Sequence, residues 1–257
     1  VGRASPSLRD RSARAHTRCW SVNDRSTAKA RSTAWVPALV ACCITMWTIL
    51  RLRRLCVKRG AGTPTLAAWF GPCDLAAMRT DFEYITLGLG GLGSGACYWL
   101  ARSAGRGVLG LEQFELGHVR GESQDHSRII RLSYHTPAYV RLARRAYQSW
   151  ALVEAEAKEP CILKTGGLDI APGGSRIPLD PYIASMQAEG VEFEQLDARE
   201  IMRRWPQFRL TEDCRGLYQA ESGIAMAARA NVVHQRLARE HGATLGDRRP
   251  VNSIRSV

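Results

Sequence analysis

No two cysteines in this chain form a CxxC pair, although it has eight: Cys19, Cys42, Cys43, Cys56, Cys73, Cys97, Cys161 and Cys214. A zinc ribbon or a thioredoxin-like site therefore lacks its ligand spacing. Most of these cysteines sit among apolar or small residues, and in a chain of 257 residues a disulfide framework is disfavoured. That usage fits a reducing compartment. No internal repeat, metal-ligand cluster, catalytic triad or nucleic-acid motif is visible. Aliphatic residues are almost absent from positions 1–33, so that stretch cannot bury enough apolar area to offset its chain entropy.

Acidic residues are scarce in one part only. Residues 1–77 hold 3 Asp/Glu against 13 Lys/Arg, whereas residues 78–257 hold 21 against 23. The net charge of +12 thus belongs to the first third, and overall basicity is no argument for a nucleic-acid partner. At 45% hydrophobic and 23% charged, the composition excludes collagen, disorder throughout and a multi-span membrane protein.

The apolar run Ala34–Leu50 has 17 residues, contains Pro37 and has basic residues on both sides. It stands at the lower edge of membrane-spanning length. Residues 1–77 read as a basic, low-order extension. A signal anchor and an Arg- and Ser-rich transit peptide are two readings of it. Upstream sequence read in frame, outside the natural product, is the preferred one. The reason is that nothing in this stretch has a sustained period and Met78 opens a well-patterned domain.

From Asp81 onward the pattern is that of an α/β protein. Phe82–Leu87 reads as a buried strand, Ser94–Ser103 as a helix, and Val108–Leu111 as a second strand ending at Glu112. Thr136-Pro137 predicts the N-cap and first residue of a long helix. Leu168–Ile170 reads as a strand. Asp180-Pro181 predicts a capped helix that Gly190 ends. Val191–Leu196 alternates as a strand, Asp197–Trp205 is a short helix, and Asn231–His241 another. A further strand is expected to begin near Asn252.

The turn between the first strand and helix is Gly88-Leu89-Gly90-Gly91-Leu92-Gly93. GxGxxG alone is a weak signal, but here it leaves a strand and opens a helix. Gly88 permits the tight turn, Gly90 lets the backbone approach a pyrophosphate, and Gly93 lets helix and strand pack closely. With Gly91 and Leu92 they form the expected cradle, over a helix N-terminus whose N–H groups favour phosphate. Glu112 lies 19 residues past Gly93. Its carboxylate there suits both hydroxyls of an adenosine ribose and disfavours a 2′-phosphate. The fingerprint does not separate FAD from NAD.

The segment Gly117–Arg131 follows, ending in Ser127-Arg128-Ile129-Ile130-Arg131. From here the chain resembles the monomeric sarcosine oxidase family, which includes N-methyltryptophan oxidase and the peroxisomal sarcosine/pipecolate oxidases. The resemblance rests on Leu111-Glu112-Gln113-Phe114, Gly117-His118, the Arg-Ile-Ile-Arg block, Tyr139-Val140 and Ala146-Tyr147 with Trp150. It continues through Lys164-Thr165-Gly166-Gly167-Leu168, Arg204-Trp205-Pro206 and Ser222-Gly223.

The resemblance implies a Rossmann-like FAD domain with the beginning of a mixed α+β substrate domain. It divides the chain at 78–165 (FAD domain, first part), 166–220 (substrate domain) and 221–257 (FAD domain, second part). It implies FAD as cofactor, with Gln113 and Ser123 added to the cradle. The reaction implied is oxidation of the C–N bond of an N-methyl or other secondary amino acid, with O₂ reduced to H₂O₂. A monomer in the cytoplasm, or in the peroxisome of a eukaryote, goes with it. By position, Arg128 would lie beside the flavin and Arg131 would contact the substrate carboxylate. A guanidinium can clamp a carboxylate with two parallel hydrogen bonds.

The family commonly reads Gly-Ser-Ser-His-Gly where this chain has Gly121-Glu122-Ser123-Gln124-Asp125. Gln124 therefore replaces a histidine, for which His126 either compensates or is an ordinary loop residue. The second half of the family pattern lies outside Met78–Val257, so the expectation is a fragment inactive alone. A dehydrogenase with another electron acceptor and a non-catalytic dinucleotide-binding module are the alternatives. Cys97, Cys161 and Cys214 are expected to be packing residues.

Overall fold

A strand, a glycine turn and a helix form the unit that carries the main core. The computed structural model describes residues 50–51 and 81–254. The expectations for the extension, apart from residues 50–51, lie outside the described residues.

Strand β1 is Leu50–Arg51 and β2 is Tyr84–Leu87; they pair antiparallel. Strand β2 is shorter than expected from Phe82, but its pairing begins earlier: the Glu83 N–H donates to the Gly107 carbonyl at 2.8 Å. Helix α1, Gly91–Ala104, follows the glycine turn. All of Ser94–Ala101 is buried in it, the mark of a helix covered on every side. A 3₁₀ turn at Gly105–Gly107 leads into β3, Val108–Leu111, which runs parallel to β2 with Leu87 opposite Leu111.

Strand β4 is Arg128–Ile130. Helix α2 is Pro137–Ala157, where proline occupies the first turn as expected but the Thr136 side chain makes no capping hydrogen bond. Strands β5 (Ile162–Lys164) and β6 (Gly167–Ala171) precede helix α3, Asp180–Ala188. Asp180 is not the cap of α3: Leu179 holds that position, and Asp180 lies inside the first turn, where its charge favours the helix dipole. Strand β7 is Glu194–Asp197, and α4 is Ala198–Arg204. Asp197 caps α4 by accepting the Glu200 N–H at 2.8 Å. Strands β8 (Arg215–Gln219) and β9 (Gly223–Ala225), helix α5 (Ala227–Glu240) and β10 (Thr244–Gly246) complete the order. No strand begins at Asn252; residues 251–254 have no regular structure.

Three sheets result. The first has order β1-β2-β3-β10, with β2, β3 and β10 parallel. The second, β4-β9-β5, and the third, β6-β8-β7, are antiparallel. The second sheet joins strands from 78–165 to β9 from 221–257. The third is built wholly within 166–220.

The main core is formed by Leu89, Cys97, Tyr98, Leu100, Val108, Val153, Cys161, Val233 and Leu237, where α1 meets β3, α2 and α5. A second cluster around Val140, Met186, Val191 and Leu217 lies against α3 and β8. Cys97, Cys161 and Cys214 are buried free thiols. Burial pushes Cys97 up to about 12 and Cys161 to about 11, so both are packing groups and not nucleophiles.

His234 is 3% exposed and lies between the rings of Tyr98 and Trp150, with centroids 5.6 and 5.0 Å away. Burial lowers its pKa to about 4. The unfolded chain therefore takes up a proton near pH 6.5 and the folded chain only near 4. Stability is complete above that upper value and falls as pH drops between the two. The loss should amount to about 3 kcal/mol at one proton per molecule. Urea midpoints at pH 7 and 4.5 should show it. His234→Phe should flatten that part of the profile, and an unchanged profile would count against it.

Candidate functional site

The glycine turn is built by close backbone approach. Gly88 has φ +83°, a left-handed conformation that a side chain would resist. Its N–H still reaches the Leu111 carbonyl at 2.7 Å, which ties the turn to β3. A Cβ at Gly93 would lie 1.8 Å from the Gly88 carbonyl oxygen. Gly93 is thus where α1 touches the turn it leaves.

The N-terminus of α1 has no side-chain cap and no acidic residue in its first turn. Its Gly91 N–H donates to the Ser123 Oγ at 2.8 Å. A Cβ at Gly91 would lie 3.0 Å from that oxygen, and one at Gly90 would lie 3.5 Å away. The loop after β3 therefore crosses over the turn at Ser123. Leu92 is half-buried in the first turn of α1.

Glu112 is 5% exposed at the end of β3. Its Oε2 accepts the Leu89 N–H at 2.8 Å, its Oε1 accepts the Phe114 N–H at 3.2 Å, and His118 Nε2 stands 3.4 Å from Oε1. The carboxylate thus fastens the glycine turn to the strand end, a structural duty the sequence did not suggest. Each oxygen keeps a further lone pair. Gln113 is exposed beside it. A small cleft of about 40 Å³ lies here, lined by Leu89, Gly90, Glu112, His118, Ser123, Gln124 and Asn231 among others.

This arrangement fits the ADP half of FAD. The helix N-terminus is left to an anion, glycine backbone is exposed where side chains would intrude, and a buried carboxylate has spare acceptors.

The two arginines are placed differently. Arg128 in β4 donates to the carbonyls of Glu122 and Ser127 and to Asp125 Oδ2, the last at 3.2 Å. It braces the same loop that carries Ser123. Arg131 belongs to another cluster: its Nη1 donates to Asp169 Oδ1 of β6 at 2.5 Å, and its guanidinium lies 5.5 Å from the Tyr134 ring centroid. Ser133 Oγ holds the other Asp169 oxygen at 2.5 Å. No sequence signal marked Asp169. His126 is exposed, and its N–H donates to Asp125 Oδ1 at 2.7 Å.

A larger cavity of about 450 Å³ lies elsewhere, lined by Leu132, Arg144, Tyr147, Trp150, Lys164, Glu221 and others. None of the candidate cofactor or catalytic residues lines it, although Tyr147, Trp150 and Lys164, which carry part of the family resemblance, do. Among the described residues, no group of His, Cys, Asp and Glu is arranged to hold a metal ion, and no helix is long and apolar enough to cross a membrane.

Residues 84–257 match the family model described as FAD dependent oxidoreductase. Monomeric sarcosine oxidase of Streptomyces avermitilis is 34% identical over 175 residues, covering 68% of this chain and 45% of that protein. N-methyl-L-tryptophan oxidase of Salmonella arizonae is 32% identical, over 67% of this chain and 46% of its own. Peroxisomal sarcosine oxidase of Mus musculus is 33% identical, over 70% and 46%. The chain thus spans less than half the length of these relatives. Among solved structures, the open form of NikD, an unusual amino acid oxidase essential for nikkomycin biosynthesis, superposes with a TM-score of 0.57 at 25% identity. It covers 64% of this chain and 42% of that one. L-proline dehydrogenase from P. horikoshii shares the fold at a TM-score of 0.55 and 21% identity, over 64% and 43%.

Proposed function

The chain belongs to the FAD dependent oxidoreductase family, and on that premise we propose that it is the nucleotide-binding part of an enzyme that oxidises the C–N bond of an N-methyl or other secondary amino acid. The carrying observation is the cradle itself: Gly88–Gly93 under Ser123, with the Glu112 carboxylate at the strand end. The names of the relatives supply the substrate class.

In this reading Gly88, Gly90, Gly91, Leu92 and Gly93 form the backbone cradle under the pyrophosphate, with the Leu92 and Gly93 N–H groups of the first helical turn donating to it because the Gly91 N–H is held by Ser123. Glu112 accepts the ribose hydroxyls, with Gln113 beside it. Ser123 keeps its Oγ as acceptor of the Gly91 N–H and donates a hydrogen bond from its hydroxyl to a phosphate oxygen. FAD held there would supply two-electron redox chemistry: the amine would lose two electrons and two protons to become the imine, and O₂ would take up the same two electrons and two protons to give H₂O₂. Arg128 braces the loop over the cofactor and places positive charge near it. Arg131 receives the substrate carboxylate in a paired hydrogen bond, with Asp169 fixing the plane of its guanidinium.

The division into 78–165, 166–220 and 221–257 is supported by the second sheet, which joins the outer two parts, and by the third, which stays within the middle one. Three buried free thiols favour a reducing compartment, the cytoplasm or peroxisome.

Because the match covers less than half of each relative, we assign nucleotide binding to this chain and turnover to a longer assembly. Purified chain should bind ADP and FAD saturably and release no amine-dependent H₂O₂. Joined to the remaining half of the Streptomyces relative, it should release H₂O₂ from an N-methyl amino acid. Failure to bind either nucleotide would overturn the cofactor assignment. A silent panel of secondary amino acids and amines would overturn the amine oxidation.

A further inference from the structure

Asn231 lies one turn inside α5, not at its start as the sequence pattern suggested. It is 9% exposed, and its Oδ1 is buried with no hydrogen-bond partner. A buried acceptor left unpaired is destabilising, and native proteins keep few of them. A leucine of similar size would satisfy the helix and the core better.

The position explains what the amide faces. Asn231 lines the cleft that Gly90, Glu112 and Ser123 also line. Gln235, four residues on and therefore on the same side of α5, donates its Nε2 to the Leu89 carbonyl at 2.9 Å. The Ala228 N–H, at the other end of this stretch, donates to the Asp125 carbonyl at 3.1 Å. This side of α5 is thus held against both the glycine turn and the loop over it, and Asn231 stands between the two anchor points.

An unpaired amide oxygen needs a donor. Phosphate oxygens are acceptors and cannot supply one; a sugar hydroxyl can. We propose that Asn231 is a nucleotide-binding residue whose Oδ1 accepts a hydrogen bond from a sugar hydroxyl of the bound dinucleotide. It works from the α5 side of a cleft that Glu112 also lines. This rests on the assignment of the cleft to FAD. The hydroxyl has two sources, the adenosine ribose and the ribitol chain, which share the same donor chemistry. The rival occupant is a single water, for which a cleft of about 40 Å³ has room.

The test is calorimetric titration of the full chain with ADP and with FAD, together with thermal melting in the absence of ligand. Asn231→Leu should raise the melting temperature of the free chain by about 2–4 °C, since it removes an unpaired buried group. The same change should weaken binding about tenfold, the loss of one hydrogen bond. Asn231→Ala, which removes the amide without adding bulk, should weaken binding equally. Loss toward ADP and FAD alike places the hydroxyl on the adenosine ribose; loss toward FAD alone places it on the ribitol. Wild-type affinity for both ligands in both variants would overturn the proposal and leave the water. If the unaltered chain binds neither nucleotide, the cofactor assignment fails first and takes this inference with it.

Discussion

Gly93→Ala should abolish ADP and FAD binding and lower the unfolding free energy by about 3 kcal/mol, the upper part of the range for overpacking. The added Cβ would meet the Gly88 carbonyl oxygen at 1.8 Å and the Thr86 Cγ2 at 3.3 Å. The first contact is with backbone, so no side-chain rotation relieves it. Either α1 withdraws from β2 or the Gly88 turn opens. Both displace the Gly91 N–H from Ser123 and the Leu89 N–H from Glu112, so the binding geometry is lost with the packing. Gly88→Ala makes a useful comparison. Nothing lies within 4 Å of a Cβ there, and only the positive φ resists the change. It should cost about 1 kcal/mol, the usual penalty for a left-handed alanine, and retain measurable binding. Urea denaturation and nucleotide titration of both variants check this. Equal behaviour of the two would mean that helix–strand contact at Gly93 is not what shapes the site.

The same contact shows why this part of the fold was legible in the sequence. In β2-turn-α1-β3, strand period, glycine spacing and helix pattern all point to one local arrangement, and the acidic residue at the end of β3 falls in step with it. The short strands gave no such signal. β4, β5 and β9 of the antiparallel second sheet, and β10 of the parallel one, have three residues each, too few to show a period. They exist because distant segments meet: a Cβ on Gly223 of β9 would lie 2.0 Å from the Leu163 carbonyl oxygen of β5, a constraint that involves residues 60 positions apart. Asp169 and Asn231 were missed for a related reason. An aspartate in a strand and an asparagine in a helix both look like solvent-facing residues until the partner element is known. Arg131 supplies that partner for the first, and the packing of α5 on the glycine turn buries the second. Thr136 was legible in position: it is the N-cap and Pro137 opens the helix, as expected, although the threonine side chain makes no capping bond.

Glu112→Gln tests the other half of the cradle, because it preserves shape and removes charge. In the native chain, two backbone N–H groups point at the two carboxylate oxygens, Leu89 at 2.8 Å and Phe114 at 3.2 Å. A glutamine can accept only one of them. Its NH₂ must then face the other N–H, donor against donor, inside a site that is 5% exposed in the native chain. The glycine turn loses an anchor, and the ribose loses a charged acceptor. Hydrogen bonds to charged groups contribute about 1.5–3 kcal/mol each. Nucleotide affinity should therefore fall by about 100-fold or more, while stability falls by about 1–3 kcal/mol for the unpaired donor. Glu112→Asp keeps the charge but shortens the reach, so it should lose both backbone bonds and bind little better. The discriminating ligand is a 2′-phosphorylated ADP. Against the native carboxylate its extra charge should weaken binding relative to ADP. Against Glu112→Gln that difference should shrink, because the repelling charge is gone. A constant difference in both proteins would show that Glu112 holds the turn and does not read the ribose.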